Sequence, residues 1–285
     1  MTVAVVPATS VAGLYIAQQR GYFTAAGLRV KVTPVASGAN ALPNLVNGSV
    51  DVDEGQWTSD LTAEAAGAAR LHVLAPGNSG GNALEEVVTP PDSAIKTVDQ
   101  LRGKTIAVNA LSGLAVLLTA NVLTSYGIPA SAVHFVVVPF PAMGAALAAH
   151  RVDAAFLTEP FLSAAEQAQG VVPLFDIDQG AAQDFPIAGY VVTQAWAAKY
   201  PKTAEAFTTA LRRGQRVAAT TRPAIEQALR GALHISMQTA ATMALGTYPL
   251  AMSRSDLQRV ATLMQLNGLL SQKVNTTALV KGMIR

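Results

Sequence analysis

No cysteine occurs anywhere in the 285 residues. That excludes thiol catalysis, thiolate-bound zinc and disulfides, while leaving the compartment open. Charge is sparse as well: Asp, Glu, Lys and Arg make up 13% of the chain, for a net charge of +2. Nucleic-acid binders carry a basic stripe interleaved with aromatics. Here the one tight basic group is Arg212, Arg213 and Arg216, on what reads as an exposed helix face, so nucleic acid is not an expected partner. Long apolar runs are missing too, although 51% of residues are hydrophobic. The longest candidate, residues 111–123, is broken by Ser112, Gly113, Thr119 and Asn121, well short of the roughly 18–20 residues a membrane span needs. His72, His134, His150 and His234 fall in separate segments with none of the HxH, HxxxH or HExxH spacings, so no metal is expected. There is no GxSxG, Walker A or GxGxxG motif, and Gly103-Lys104 precedes a strand rather than closing a phosphate loop. The expectation is a non-enzyme without cofactor.

What is present is an alternation of β-rich runs with Ala-rich or amphipathic helical segments, the mark of an α/β architecture. Strands are expected at 2–6, 29–35, 50–53, 71–74 and 86–89, with helices leading to Gly21 and Gly48. After Pro90-Pro91 the pattern restarts, with strands at 104–108, 133–138, 153–157 and 171–175 and helices at 112–126, 142–149 and 160–168. The two blocks resemble each other. Gly27-Leu28, a Val-rich strand, Pro34, a small-residue loop and Leu45…Val50-Asp51 match Gly127-Ile128, a Val-rich strand, Pro139, a loop and Leu147…Val152-Asp153. Asp51 and Asp153 therefore occupy matched positions, where structural hydrogen bonds are expected of both.

Beyond a strand at 190–192 the chain reads as helical, at 201–219, 223–237, 253–266 and 271–283, with Pro201 and Pro223 suited to first turns. A helical tail is placed most simply against the first lobe. The expected domains are residues 1–88 with 190–285, and residues 89–189, with hinge crossovers near 87–91 and 186–191 and a ligand cleft between the lobes.

Four stretches carry a family resemblance: LYIAQQRGYFTAAGLRVKVTPVASGANALPNLVNGSVDV at 14–52, TVDQLRGKTIAV at 97–108, AMGAALAAHRVDAAFLTEPF at 142–161 and, more weakly, WAAKYPKTAEAFTTAL at 196–211. They resemble the sulfonate/nitrate/taurine and thiamine-precursor (NMT1/THI5-like) substrate-binding proteins of ABC transporters. The resemblance implies a two-lobed type II periplasmic binding protein fold, each lobe a mixed sheet flanked by helices. It further implies an extracytoplasmic, monomeric receptor that delivers a small solute to the permease transmembrane subunits. Such a receptor is periplasmic, or extracellular and membrane-anchored, and needs an export signal, whereas here residues 2–6 already read as a strand. Two alternatives stay open. One is an enzyme on the same fold, but the related thiamine-pyrimidine synthases need a Cys-rich motif. The other is a ligand-sensing regulatory domain, but those open with a helix-turn-helix.

In open α/β sheets ligands lie beyond the carboxyl ends of strands. Those ends supply Thr9, Ser10, Ser37, Gly38, Asn40, Trp57, Thr58 and Asn78 in the first lobe, and Ser112, Gly113 and Glu159 in the second. Tyr190 lies on the returning crossover. Ser37–Asn40 and Ser112-Gly113 precede helices, whose N-terminal N–H groups suit an oxyanion, with simple N-capping as the plainer alternative. An indole at Trp57 suits stacking. Glu159 suits an amine or aminopyrimidine, or else caps a helix. Glu54 strengthens a cationic reading, while Glu85, Glu86 and Asp92 read as solvated loop charges. The balance leans to an aromatic or nitrogen-bearing solute over a sulfonate or other oxyanion.

Overall fold

The alternation of strands and helices becomes two separate five-stranded mixed sheets. The computed structural model describes residues 1–280. Unit 1 comprises Met1–Ser79, Pro186–Ser236 and the residues from Thr247 onward; unit 2 comprises Gly80–Phe185 and Met237–Gly246. Unit 1 starts with β1 (Thr2–Val5), α1 (Ala12–Gln19), α2 (Tyr22–Ala25), β2 (Lys31–Pro34), α3 (Gly38–Asn47), β3 (Val52–Gln56), α4 (Trp57–Ala65) and β4 (Leu71–Ser79). Unit 2 holds β5 (Glu85–Thr89), β6 (Thr105–Val108), α5 (Leu114–Ser125), β7 (His134–Val137), α6 (Phe140–Ala148), β8 (Ala154–Thr158), α7 (Phe161–Gln169) and β9 (Val172–Asp176). The chain returns to unit 1 for β10 (Pro186–Thr193), α8 (Gln194–Lys199), α9 (Pro201–Ala218) and α10 (Arg222–Leu233). It gives α11 (Met237–Thr242) to unit 2 and comes back with α12 (Arg254–Leu266) and α13 (Thr276–Leu279).

The sheets have the same plan. Strand order is β2-β1-β3-β10-β4 in one and β7-β6-β8-β5-β9 in the other. In each, the strand beside the parallel trio runs antiparallel to both of its neighbours. The matched aspartates behave alike. Asp51 accepts the Thr2 N–H at 2.7 Å and Asp153 accepts the Thr105 N–H at 2.8 Å, each tying the first strand of its parallel trio in chain order to the third. Asp51 also takes the Trp196 indole N–H at 3.0 Å.

Side chains along β10 alternate between the faces of the unit 1 sheet, as the pleat requires. Tyr190 meets Phe207 of α9 edge-on, with ring centroids 6.2 Å apart, and Phe207 stacks on Phe23 at 5.2 Å. Gly189, on the opposite face, lies under the Trp57 ring of α4. A β carbon there would fall within the ring itself and 2.8 Å from the Ala75 carbonyl, so only glycine lets the indole down onto the sheet.

Several sequence expectations need correction. The first unit boundary lies at 79/80 rather than 88/89, because β5 pairs with β8 and β9 on its two sides and belongs wholly to the second sheet. The return lies at 185/186, since all of β10 pairs with β3 and β4. The helical tail is not confined to unit 1. Residues 237–246 belong to unit 2, where Gln167 of α7 hydrogen-bonds the Thr239 and Thr242 hydroxyls of α11. Of the helix expected at 271–283, the described part shows only Thr276–Leu279, and residues 281–283 lie outside the described residues. Helix α4 was not expected. It follows β3 with no intervening loop, and its polar-rich sequence WTSDLTAEA gives weak periodicity; contact with β3, β10 and α12 makes it a helix.

Candidate functional site

Because β10 is antiparallel to both β3 and β4, the strands β1, β2, β3 and β4 point the same way. Their carboxyl ends share one edge of the unit 1 sheet, and α3 and α4 start there. Thr9 and Ser10 sit in a buried turn after β1, with the Thr9 carbonyl accepting the Tyr248 hydroxyl at 3.1 Å. Ser37, buried and extended, precedes α3 and spends its hydroxyl on Asn40 Oδ1 at 2.6 Å, while Asn40 itself is exposed. Gly38 lets α3 approach β3: a β carbon there would stand 3.3 Å from the Gln56 nitrogen and from the Gly55 α carbon.

Three side chains at this edge carry the functional signal. Gln56 Oε1, Thr58 Oγ1 and Asn78 Oδ1 are buried with no hydrogen-bond partner in the protein. A buried polar atom left unpartnered costs about 1–3 kcal/mol. Gln56 and Asn78 lie in the last residues of β3 and β4 and Thr58 in the first turn of α4, at the sheet end where ligands of open α/β sheets lie.

Trp57 and Tyr190 lie deeper than the sequence reading placed them. Trp57 is 1% exposed, its ring on Gly189, so neither indole face is open for stacking in this structure. Tyr190 is 0% exposed and sits inside β10 opposite Glu54, two residues in from the Ala188–Gln56 pair at the strand end.

Beneath the edge lie three carboxylates, of which the sequence reading had singled out only Glu54. Asp53 and Glu54 of β3 and Asp60 of α4 are at most 2% exposed, and no carboxylate oxygen of the three completes a hydrogen bond. Burial pushes Glu54 up to about 8, against a smaller pull from the Ser10 hydroxyl and the Val6 N–H, which approach it without full hydrogen-bond geometry. Burial also raises Asp53, with Asp60 and then Glu54 adding repulsion; Asp60 is raised by burial and then by Glu54 and Glu64. The signal in the sequence was the acid pair in VDVDEGQ, an unusual content for a strand.

In unit 2, Asn109 follows β6 with both amide atoms buried and unpartnered. Gly113 is buried at the start of α5, which has no side-chain cap, and Ser112 is exposed. Glu159 takes the helix-capping role. Its carboxylate accepts from the Ser163 N–H at 3.1 Å, the Ser163 hydroxyl at 2.7 Å and the Ala244 N–H at 3.0 Å, which spends its acceptors locally. Burial nevertheless holds it above the usual carboxylate range. Glu85 and Glu86 are not solvated loop charges: they are 4% and 7% exposed in the inner strand β5. Burial, then repulsion from Asp178, pushes Glu85 up to about 8; burial, then Asp176, pushes Glu86 up to about 7.

The model of the NMT1/THI5-like family matches residues 8–223, most of the chain. The chain belongs to the NMT1/THI5-like family. No curated protein sequence matches it. Solved structures similar to it include the alkanesulfonate-binding protein SsuA of Xanthomonas axonopodis pv. citri bound to MOPS, at 20% identity over 98% of this chain and 97% of that one, with a TM-score of 0.83. The periplasmic nitrate-binding protein NrtA of Synechocystis PCC 6803 is 17% identical over 100% and 85%, with a TM-score of 0.82. The zinc-bound ligand-binding component of an ABC-type import system of Staphylococcus aureus is 14% identical over 99% and 96%, with a TM-score of 0.85. With two five-stranded mixed sheets flanked by helices, this family member has the type II periplasmic binding protein fold. No helix among its described residues is long and apolar enough to cross a membrane.

Proposed function

We propose that the chain is the solute-binding component of an ABC importer, working outside the cytoplasm without catalysis, and handing a small organic solute to a permease. The observation that carries this reading is the row of buried, unpartnered groups Gln56, Thr58 and Asn78 along the strand carboxyl ends of unit 1. Family membership and the fold support it. The absence of cysteine speaks against a thiamine-pyrimidine-synthase-like reaction.

The solute we favour is nitrogen-bearing, with N–H donors, over a sulfonate or nitrate. Gln56 Oε1 and Asn78 Oδ1 are acceptors without a partner, which N–H donors of a solute would meet, while the Thr58 hydroxyl serves a donor or an acceptor. The wholly buried ionisable side chains described in unit 1 are Asp53, Glu54, Asp60 and two tyrosines; no lysine, arginine or histidine there is wholly buried, although Arg212 buries its Nε. We assign Asn78, Thr58 and Gln56 to solute contact, with Ser10, Ser37 and Gly38 shaping the edge. Trp57 and Tyr190 support it from below.

A thermal-shift screen against aminopyrimidines, amines, sulfonates and nitrate tests the proposal, since a ligand that binds only the folded state raises its melting temperature. The expected result is a saturable rise with a nitrogen-bearing compound that Asn78→Ala weakens in a folded protein. A rise that Asn78→Ala, Thr58→Ala and Gln56→Ala all leave unchanged would move the site elsewhere.

A further inference from the structure

The internal repeat provides a comparison within one molecule. Val3 and Ala4 of β1 pair with Val52 and Asp53 of β3, as Ile106 and Ala107 of β6 pair with Ala154 and Ala155 of β8. Continuing the register, Glu54 stands opposite Tyr190 where Phe156 stands opposite Val87. The position of Asp53 is thus Ala155 in unit 2, and the position of Glu54 is Phe156. The first turn of α7, Phe161 through Ala164, has no carboxylate where α4 has Asp60. The same sheet plan therefore stands without acids at these places. Their presence in unit 1 is not a requirement of the fold.

Nor does the protein neutralise them. Asp53 and Glu54 are consecutive on β3 and face opposite sides of the sheet. On its side, Glu54 faces Tyr15 of α1, Tyr190 of β10 and the Ser10 hydroxyl, and Oε1 would lie 3.4 Å from a β carbon on Gly77 of β4. Tyr248 stands near Tyr190, and the Arg222 that acts on Tyr248 is bound to Glu226 at 2.7 Å. On the other side, Asp53 faces Asp60 of α4, near the start of α3 at Gly38. Glu64, one turn beyond Asp60, is tied to Arg70 and to the Leu71 N–H. His72 on β4 is biased by its burial to the neutral form. An isolated buried carboxylate takes up a proton rather than keep its charge. The cluster adjoins Gln56, the last residue of β3, and Thr58, in the first turn of α4, whose oxygens are likewise buried without a partner.

We propose that solute binding to unit 1 is linked to proton exchange at Asp53, Glu54 and Asp60, so that affinity for a cationic, hydrogen-bond-donating solute rises with pH while affinity for an oxyanion falls. This rests on the solute-binding reading above. A bound ammonium favours the carboxylate, and the proton leaves to solvent: R–NH3⁺ and a protonated carboxyl become an R–NH3⁺/carboxylate complex and one free H⁺. An oxyanion favours the protonated carboxyl and draws a proton in. The three side chains act as positioning residues, through charge and not through contact.

Benzylamine and methanesulfonate are the probes, because each keeps its own charge between about pH 6 and pH 8.5. Calorimetric titration in two buffers of different ionisation enthalpy counts the protons exchanged. Benzylamine is expected to bind more tightly as pH rises, by up to about tenfold per unit for one proton released, and Glu54→Gln, Asp53→Asn and Asp60→Asn should each flatten that profile. A pH-independent benzylamine affinity with no proton released overturns the linkage and leaves solute binding standing, as does methanesulfonate binding that tightens with pH. If neither probe binds at any pH, the solute reading for these classes falls and the linkage with it. A measurement without ligand judges the cluster separately. The wild-type chain should lose unfolding free energy as pH rises over this range, and the three amide variants should lose less; equal slopes overturn the proposal.

Discussion

Replacing Glu54 with glutamine removes one buried carboxyl and nearly nothing else in shape. Burial holds this carboxyl at about 8 in the folded chain against an ordinary 4.5. The folded state therefore keeps its proton after the unfolded chain has lost it. Between those two values the folded state binds more protons, so stability falls as pH rises, by at most about 1.4 kcal/mol per unit for one group. Below about 4.5 the penalty is absent, and above about 8 it is complete. A gap of about 3.5 units sets a ceiling of roughly 5 kcal/mol on the total. Glutamine does not titrate, so the variant should gain on the wild type steadily across that window. The amide N–H groups it introduces are buried without a designed acceptor, at a constant cost of about 1–3 kcal/mol. The variant can therefore be less stable at pH 5 and more stable at pH 8.5. Urea unfolding at several pH values reads the difference. Glu85 and Glu86 titrate in the same range but occur in both proteins, so they cancel. Parallel stability curves, with a difference independent of pH, would refute the reasoning outright.

Other consequences follow from single contacts. Asp51→Ala should cost more stability than Asp153→Ala, each about 1–3 kcal/mol, because Asp51 serves the Trp196 indole as well as a strand N–H; thermal unfolding showing the reverse order would count against it. Gly189→Ala should destabilise by about 1–3 kcal/mol and alter Trp57 fluorescence, since the new methyl would occupy the place of the indole. An unchanged melting temperature would show that the indole is free to move. Glu159→Ala should loosen α11 from α7 through the lost Ala244 and Ser163 bonds, detectable as faster amide exchange at Ala244. Unchanged exchange there would remove the carboxylate from that role.

Much of the fold was legible in the sequence because it depends on local periodicity. The Val-rich runs became strands within a residue or two, and Asp51 and Asp153, matched by spacing alone, make matched bonds. The strand-end rule also located Ser37, Thr58 and Asn78 on one edge, since chain direction in a parallel sheet fixes where its strands end. Other features depended on partners distant in sequence. Whether Glu85 and Glu86 meet water or protein depends on β8 and β9, which lie about 70 to 90 residues further on. Trp57 looked like a stacking platform until Gly189, on another strand, gave it a bed. Residues 237–246 read as part of one helical tail, and only their hydrogen bonds to Gln167 and Glu159 assign them to the other unit. The sequence by itself determined most of the elements, their repeat and the edge where polar groups gather, because each is written in neighbouring residues. Tertiary structure decided which charges are stripped of water, since burial belongs to the packed chain and to no single segment.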